Sequence, residues 1–103
     1  MDSQMKKGIL ELCILHLISV EDFYGYTLIK RINTSFPEVE ESTVYAILRR
    51  FLKEELTTTY SLDISSGPQR KYYSITQKGL DYLKKSQSDW KNLVQIVSDI
   101  GIN

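Results

Sequence analysis

The stretch STVYAILRRFLKEELTTTYSLDISSGPQRKYYSIT, residues 42–76, carries one helical pattern followed by two short strand patterns. In residues 42–55, apolar side chains recur at spacings of three and four, which predicts a helix with one face in the core. Residues 57–64 and 71–75 are rich in β-branched and aromatic residues, and a Gly-Pro pair between them favours a turn. The stretch therefore predicts a helix followed by a β-hairpin.

The other face of the predicted helix is suited to contact DNA. At about 100° per residue it collects small and hydroxyl-bearing residues first and cations later. Its members are Ser42, Thr43, Ala46, Arg49, Arg50 and Lys53, with Tyr45 at the flank. Short side chains let the backbone approach base edges, and Arg and Lys donate to guanine and phosphate oxygens. Exposed cations are often only solvated, and the hairpin that follows is what favours the DNA interpretation.

Two more helices are predicted upstream. Residues 4–18 are apolar around much of a helical circumference, which is typical of a central helix covered on several sides. Residues 24–36 regain helical spacing until Pro37 prevents continuation. Three helices followed by a hairpin whose end carries Arg70 and Lys71 predict a winged helix-turn-helix. The task of such a wing is to grip phosphate or the minor groove.

A long last helix is predicted after Thr76, a good N-cap residue. Apolar residues recur along it with heptad spacing, namely Leu83, Trp90 and Val97, with Leu93 and Ile100 between them. This seam is more apolar than a lone terminal helix needs, so we predict that it forms a dimer interface with its copy. A two-fold dimer favours an inverted-repeat site with half-sites roughly 34–36 Å apart.

The predicted fold class is mainly α with a small β-hairpin. A winged helix-turn-helix spans residues 1–75, and a long C-terminal dimerisation helix spans residues 76–103. With 103 residues the chain is the size of a single domain. No apolar run approaches the roughly 20 residues of a membrane span, and the first residues lack the apolar core of a secretory signal. We therefore expect a cytoplasmic protein without membrane contact.

Charge and reactive residues narrow the function classes further. The net charge is zero, but residues 42–78 hold six Lys/Arg against three Asp/Glu, so a locally basic segment can still bind phosphates. Cys13 is the only cysteine and His16 the only histidine, which excludes an internal disulfide and a structural zinc site. No nucleophile, base and orienting group are recognisable together. We expect a non-enzyme without cofactor or metal, in which Cys13 and His16 are structural.

Several fragments together resemble the PadR family of regulators. These are YGY at 24–26, STVYAILRRF at 42–51, SGPQRKYYSIT at 66–76, and Trp90 in a long terminal helix. The resemblance covers nearly the whole chain. A single terminal helix, in place of a long C-terminal domain, resembles the small subfamily that includes multidrug-sensing members. It implies a homodimeric repressor of inverted-repeat operators, often of its own promoter or of transporter genes. In the multidrug-sensing members, paired interface tryptophans sandwich flat aromatic compounds.

Position by position, the resemblance assigns roles to individual residues. DNA contact falls to Ser42, Thr43, Tyr45, Arg49 and Arg50 in the reading helix and to Gln69, Arg70 and Lys71 in the wing. The ligand-stacking tryptophan is Trp90, and Gly8, Glu11 and Leu12 line the cavity across from it, with Val94 one turn beyond Trp90. Because drug-binding members carry an acidic residue at the position of Val94, its absence argues against cationic ligands.

Two departures from the family pattern and one alternative function accompany these assignments. Glu55 stands where relatives commonly have a helix-ending glycine, and Glu40 stands near a usual N-cap position. Tyr24 and Tyr26 are expected to pack the start of the second helix, and one of the two residues at 72–73 is expected in the core.

The alternative function is a winged-helix module for protein–protein interaction without DNA binding. Salt dependence of DNA binding separates the two functions.

Overall fold

The computed structural model describes residues 2–63 and 67–103, in which helices dominate. In chain order the elements are α1 (Ser3–Val20), β1 (Phe23–Tyr24), α2 (Gly25–Ser35), α3 (Glu41–Lys53), β2 (Thr57–Leu62), β3 (Arg70–Ile75) and α4 (Gln77–Ile100). The predicted class, a winged helix followed by a long terminal helix, is confirmed. Ile64, the predicted end of the second strand, and Ser65 and Ser66 of the predicted turn lie outside the described residues.

The reading helix α3 is shorter at its end than the pattern predicts. It stops at Lys53, and Glu55 adopts a φ of 61°, in the left-handed region that favours glycine. Glu55 therefore has the backbone conformation that the helix-ending glycine of the family pattern would adopt. The amide of Leu56 then bonds back to the carbonyl of Phe51 at 2.9 Å, so the chain leaves α3 in a tight turn.

The sheet has a third strand that the sequence did not predict. β1 pairs antiparallel with β3, which in turn pairs antiparallel with β2, so the order is β1-β3-β2. The predicted two-stranded hairpin is thus an incomplete description of this sheet. β1 has only two residues, Phe23 and Tyr24, and two residues are too few to show the alternation that identifies a strand.

The core lies between the helices and one face of the sheet. Its fully buried side chains come from all three N-terminal helices, and Tyr73 of β3 and Leu83 of α4 close it from the other side. They are Leu10, Ile14, Leu15, Ile18, Leu28, Val44, Leu48 and Phe51. The predicted central helix α1 is fully buried along one face in the subunit, and Leu12 and Leu17 beside that face are half-buried against the core.

A compact junction ties the end of α3, the sheet and the start of α4 together. Thr76 is the N-cap of α4 as predicted, and its hydroxyl accepts from the amide of Gly79 at 3.0 Å and donates to the carbonyl of Glu55 at 2.7 Å. The amide of Thr76 donates to the carbonyl of Leu56 at 3.1 Å. These hydrogen bonds tie the start of α4 to the turn that follows α3.

The second part of α4 is mostly exposed. Gly79 and Leu83 are its buried residues, and every described position of α4 after Leu83 is at least partly exposed.

None of the helices in the described part of the chain is both long enough and apolar enough to cross a membrane. Nor do residues 2–63 and 67–103 bring together three histidine, cysteine, aspartate or glutamate side chains that could hold a metal ion.

Candidate nucleic-acid interface

The two faces of α3 are divided as the pattern predicts. Val44, Ile47, Leu48 and Phe51 are buried, and Ser42, Thr43, Ala46, Arg49 and Lys53 are exposed on the opposite side. The small side chains of the first turn and a half leave the backbone close to the surface, and the cations follow toward the C-terminal end. This exposed face has the shape and the order of residues that fit a helix lying in a major groove.

Tyr45 lies at the flank of this face and is held by packing. A Cβ at Gly25 would meet its ring at 3.4 Å and its hydroxyl oxygen at 3.5 Å, which are ordinary van der Waals distances, so Tyr45 packs against the first residue of α2. Burial, and then the negative charge of Glu41, raise the pKa of Tyr45. Its hydroxyl therefore stays protonated at neutral pH and can donate a hydrogen bond to a phosphate or base acceptor.

Tyr73 is influenced by one cation of α3 and one of β3. The ammonium of Lys71 in β3 lies 5.5 Å from the ring centroid of Tyr73. Burial raises the pKa of Tyr73, and the nearby charge of Arg49 in α3 opposes this shift. Lys71 thus lies over the ring of Tyr73, and Arg49 is near enough for its charge to act on the same tyrosine, so α3 and β3 each bring a cation to this region.

The remaining wing residues make contacts of their own. Gln69 donates from Nε2 to Oδ1 of Asp63 at 2.8 Å, across the base of the segment that joins β2 and β3. The guanidinium of Arg70 lies 5.0 Å from the centroid of the Tyr24 ring, within the range of a cation–π contact. Both side chains are exposed, so they combine a fixed position with access to solvent.

Sequence reasoning missed a row of tyrosines on the outer face of the sheet. Tyr24, Tyr72 and Tyr60 occupy matching positions of the three strands, and the rings of Tyr60 and Tyr72 stack with centroids 5.6 Å apart. Tyr60 donates to Oδ2 of Asp22 at 2.6 Å, and this hydrogen bond raises the pKa of Tyr60. The expectation that one of Tyr72 and Tyr73 is buried is confirmed for Tyr73, but only the pairing of β1 with β3 brings Tyr24 into the row.

Arg50 does not share the exposed position of Arg49. One arm of its guanidinium, Nη2, lies 2.8 Å from Oε2 of Glu11, and the other, Nη1, donates to Oε2 of Glu54 at 2.8 Å. The pattern grouped Arg50 with the reading face, and the resemblance grouped Glu11 with a ligand cavity. The structure instead joins these two residues to each other, between α1 and α3.

Trp90 lies where three apolar grooves meet. Gly8 and Leu12 of α1 line one groove of about 410 Å³ with it, and Val94 lines another of about 420 Å³. The third, of about 460 Å³, runs between α1, α2 and α4. The structure therefore brings Trp90 together with three of the four residues assigned to its cavity, while Glu11 lines a smaller neighbouring cavity with Gly8 and Leu12.

The predicted dimer seam begins later on α4 than the heptad pattern suggests. Leu83 is only 4% exposed and belongs to the core of its own subunit, so it is not available to a partner. From Trp90 onward the seam is exposed, with Leu93 at 53% and Ile100 at 75%, except that Val97 is half-buried. The assignment of Leu83 to the dimer interface is therefore corrected, because the pattern does not distinguish an intramolecular from an intermolecular apolar contact.

The fold and the cations of α3 and β3 define a winged-helix protein with a long terminal helix. Residues 14–85 match the model of the transcriptional regulator PadR-like family. This match covers more than half of the chain, and the chain therefore belongs to the PadR-like family of transcriptional regulators.

Similar proteins agree over almost the whole length. A PadR-like transcriptional regulator from Bacillus cereus is 42% identical, with a TM-score of 0.85 over 95% of this chain and 96% of that one. A PadR-like transcription factor from Bacteroides fragilis is 35% identical, with a TM-score of 0.82 and 96% of each chain covered. An uncharacterised protein of Lysinibacillus sphaericus is 37% identical in an alignment 99 residues long that covers 92% of this chain and 90% of that protein.

Proposed function

We propose that this chain is a homodimeric repressor that binds an inverted-repeat operator through α3 and the wing. Family membership supports DNA-binding regulation, and the observation that carries the assignment of the surface is that the exposed face of α3 bears Arg49 and Lys53 while β3 bears the exposed Lys71 over the ring of Tyr73. Because α3 and β3 both present cations, α3 can lie in the major groove while the wing grips the adjacent backbone.

Within this surface the residues have different tasks. Ser42, Thr43 and Tyr45 face base edges and nearby phosphates, and Arg49 and Lys53 supply charge further along α3. In the wing, contact with the DNA backbone is assigned to Gln69, Arg70 and Lys71. The packing of Arg70 against Tyr24 limits the rotamers of its side chain, so less conformational entropy is lost when it meets a phosphate.

DNA selection at several salt concentrations tests this proposal. Duplexes enriched from a random-sequence library should bind with an affinity that falls steeply as salt rises. Arg49→Ala should weaken binding and reduce the slope against salt by about one ion. Lys85→Ala is the matched control, because it removes the same charge from α4, where Lys85 is exposed and paired with Asp89 at 3.6 Å. Absent or salt-insensitive binding would contradict DNA regulation and favour a protein-interaction module.

The dimer is proposed to form through the distal part of α4. Trp90, Leu93, Val97 and Ile100 lie on one side of this helix, and the subunit itself does not bury them. Leu93→Glu places a charge in this apolar seam and should give a monomer by light scattering, with loss of inverted-repeat binding. Gln95→Glu adds the same charge on the opposite side of α4 and should leave the dimer intact. A Leu93→Glu protein that remains dimeric would place the interface elsewhere.

A flat aromatic effector is proposed to bind beside Trp90 and relieve repression. The support is geometric, since Trp90 is 42% exposed and lies between grooves that Gly8, Leu12 and Val94 line. A ligand there would change the separation of the two reading helices and shift the dimer away from its DNA-binding state. Planar aromatic compounds should quench the fluorescence of Trp90, the only tryptophan, in a saturable way. Unsaturable or absent quenching by all of them would leave Trp90 as an interface residue only.

A further inference from the structure

The ion pair between Glu11 and Arg50 joins the helix that carries the DNA-reading face to α1. The two side chains are 22% and 36% exposed, so the contact is partly shielded from water. Nη2 of Arg50 is itself buried and has no hydrogen-bond partner among the described residues, so its contact with Glu11 at 2.8 Å is that of two charges. A phosphate oxygen outside the protein cannot reach a buried Nη2 atom.

The surroundings of Glu11 connect this pair to the dimerisation helix. Glu11 lines a small cavity of about 50 Å³ together with Tyr82 and Leu83 of α4. It therefore lies where α1 meets α4, while its carboxylate holds the last turn of α3 through Arg50. The other partner of Arg50, Glu54, is the C-cap residue of α3 and so cannot fix α3 relative to another element.

We propose that Glu11 and Arg50 are a positioning pair that sets the orientation of α3 relative to α1 and α4. Arg50 acts on operator binding through Glu11 and does not contact DNA. This inference rests on the proposed DNA binding, and it assigns to the two residues a role different from the DNA contact and the ligand contact that the family resemblance implies for them. Fully exposed ion pairs contribute little, but this one is partly shielded and joins two different helices, so it can bias the orientation of α3 without adding a contact to the nucleic acid.

Neutralising Glu11 and Glu54 separately distinguishes a positioning role of the ion pair from an effect of net charge on DNA binding. Glu11→Gln and Glu54→Gln each remove one negative charge that lies 2.8 Å from Arg50. Charge alone predicts that both variants bind a polyanion more tightly. Positioning predicts that Glu11→Gln weakens binding to a library-selected duplex about three- to tenfold, with little change on a scrambled duplex, while Glu54→Gln does not weaken it. Equal or tighter binding of the selected duplex by Glu11→Gln would overturn the proposal.

A double-mutant cycle tests the route through which Arg50 acts. If Arg50 works only through Glu11, Glu11→Gln combined with Arg50→Gln should bind the selected duplex no more weakly than Arg50→Gln alone. The slope of affinity against salt should then stay at its wild-type value in Arg50→Gln. Additive losses, or a slope reduced by about one ion, would show that Arg50 contacts DNA and would overturn the proposal.

The same cycle in urea unfolding separates this inference from the proposed function. Coupling between positions 11 and 50 should appear in the unfolding equilibrium whether or not DNA is present. A wild-type protein that binds no duplex would refute the DNA-binding proposal, while the unfolding cycle would still show whether the pair fixes α3 to α1. Absence of coupling in unfolding would overturn the inference even if the wild type binds its duplex tightly.

Discussion

Replacement of Gly79 by alanine is expected to destabilise the protein by about 2–4 kcal/mol. Gly79 lies in the first turn of α4, where a Cβ would be 2.0 Å from the carbonyl oxygen of Leu56 and 2.7 Å from Cγ1 of Ile75. Ordinary contacts between such atoms are about 3.5 Å, so α4 would have to move by more than ~1 Å. The carbonyl cannot rotate away freely, because it also accepts from the amide of Thr76.

The expected magnitude follows from three terms. Overpacking costs about 1–3 kcal/mol, and a rigid backbone atom in the clash puts this site at the upper end. Loss of the hydrogen bond to the Leu56 carbonyl adds about 1 kcal/mol. The better helix propensity of alanine returns up to about 1 kcal/mol, so the net result remains destabilising.

Urea unfolding followed by circular dichroism at one fixed protein concentration measures this difference. Lys78→Ala is the control, because it places the same side chain one residue earlier at an exposed position of the same turn. It should change the free energy of unfolding by less than about 0.5 kcal/mol. A free energy of unfolding of Gly79→Ala within about 0.5 kcal/mol of the wild-type value would show that α4 does not approach the Leu56 carbonyl this closely.

Three smaller effects are expected. Glu55→Gly should stabilise the protein by about 0.5–1 kcal/mol in the same urea assay, because the residue has a φ of 61°, and an unchanged or lower stability would contradict strain there. Thr76→Ala should cost about 1 kcal/mol by removing the hydroxyl that caps Gly79, which unfolding in urea would also show. Because its folded pKa is raised, Tyr73 should make stability fall as pH rises above about 10, and Tyr73→Phe should reduce this dependence; an identical alkaline pH profile would refute it.

The division of α3 into two faces was predictable from the sequence alone. Val44, Ile47, Leu48 and Phe51 recur at helical spacing, and each is buried. The N-cap at Thr76 and the strands on either side of the turn could be predicted equally well. These features depend on residues a few positions apart, and a periodic pattern records such neighbours directly.

The partners of individual site residues were not predictable in this way. Arg49 and Arg50 are adjacent and chemically equal in the sequence, but Arg49 is exposed while Arg50 is paired with Glu11. The difference arises because successive helical residues point about 100° apart, and only the position of α1 determines what the second one meets.

The sequence by itself therefore determined the helices, the basic stretch from α3 to the wing and the apolar seam on α4. The tertiary structure decided which of these residues remain available to a partner. It added β1 to the sheet through Tyr72, took Leu83 into the core and placed the Leu56 carbonyl against Gly79. The physical reason is the same in each case, since these contacts join residues far apart in the chain and depend on how the elements pack.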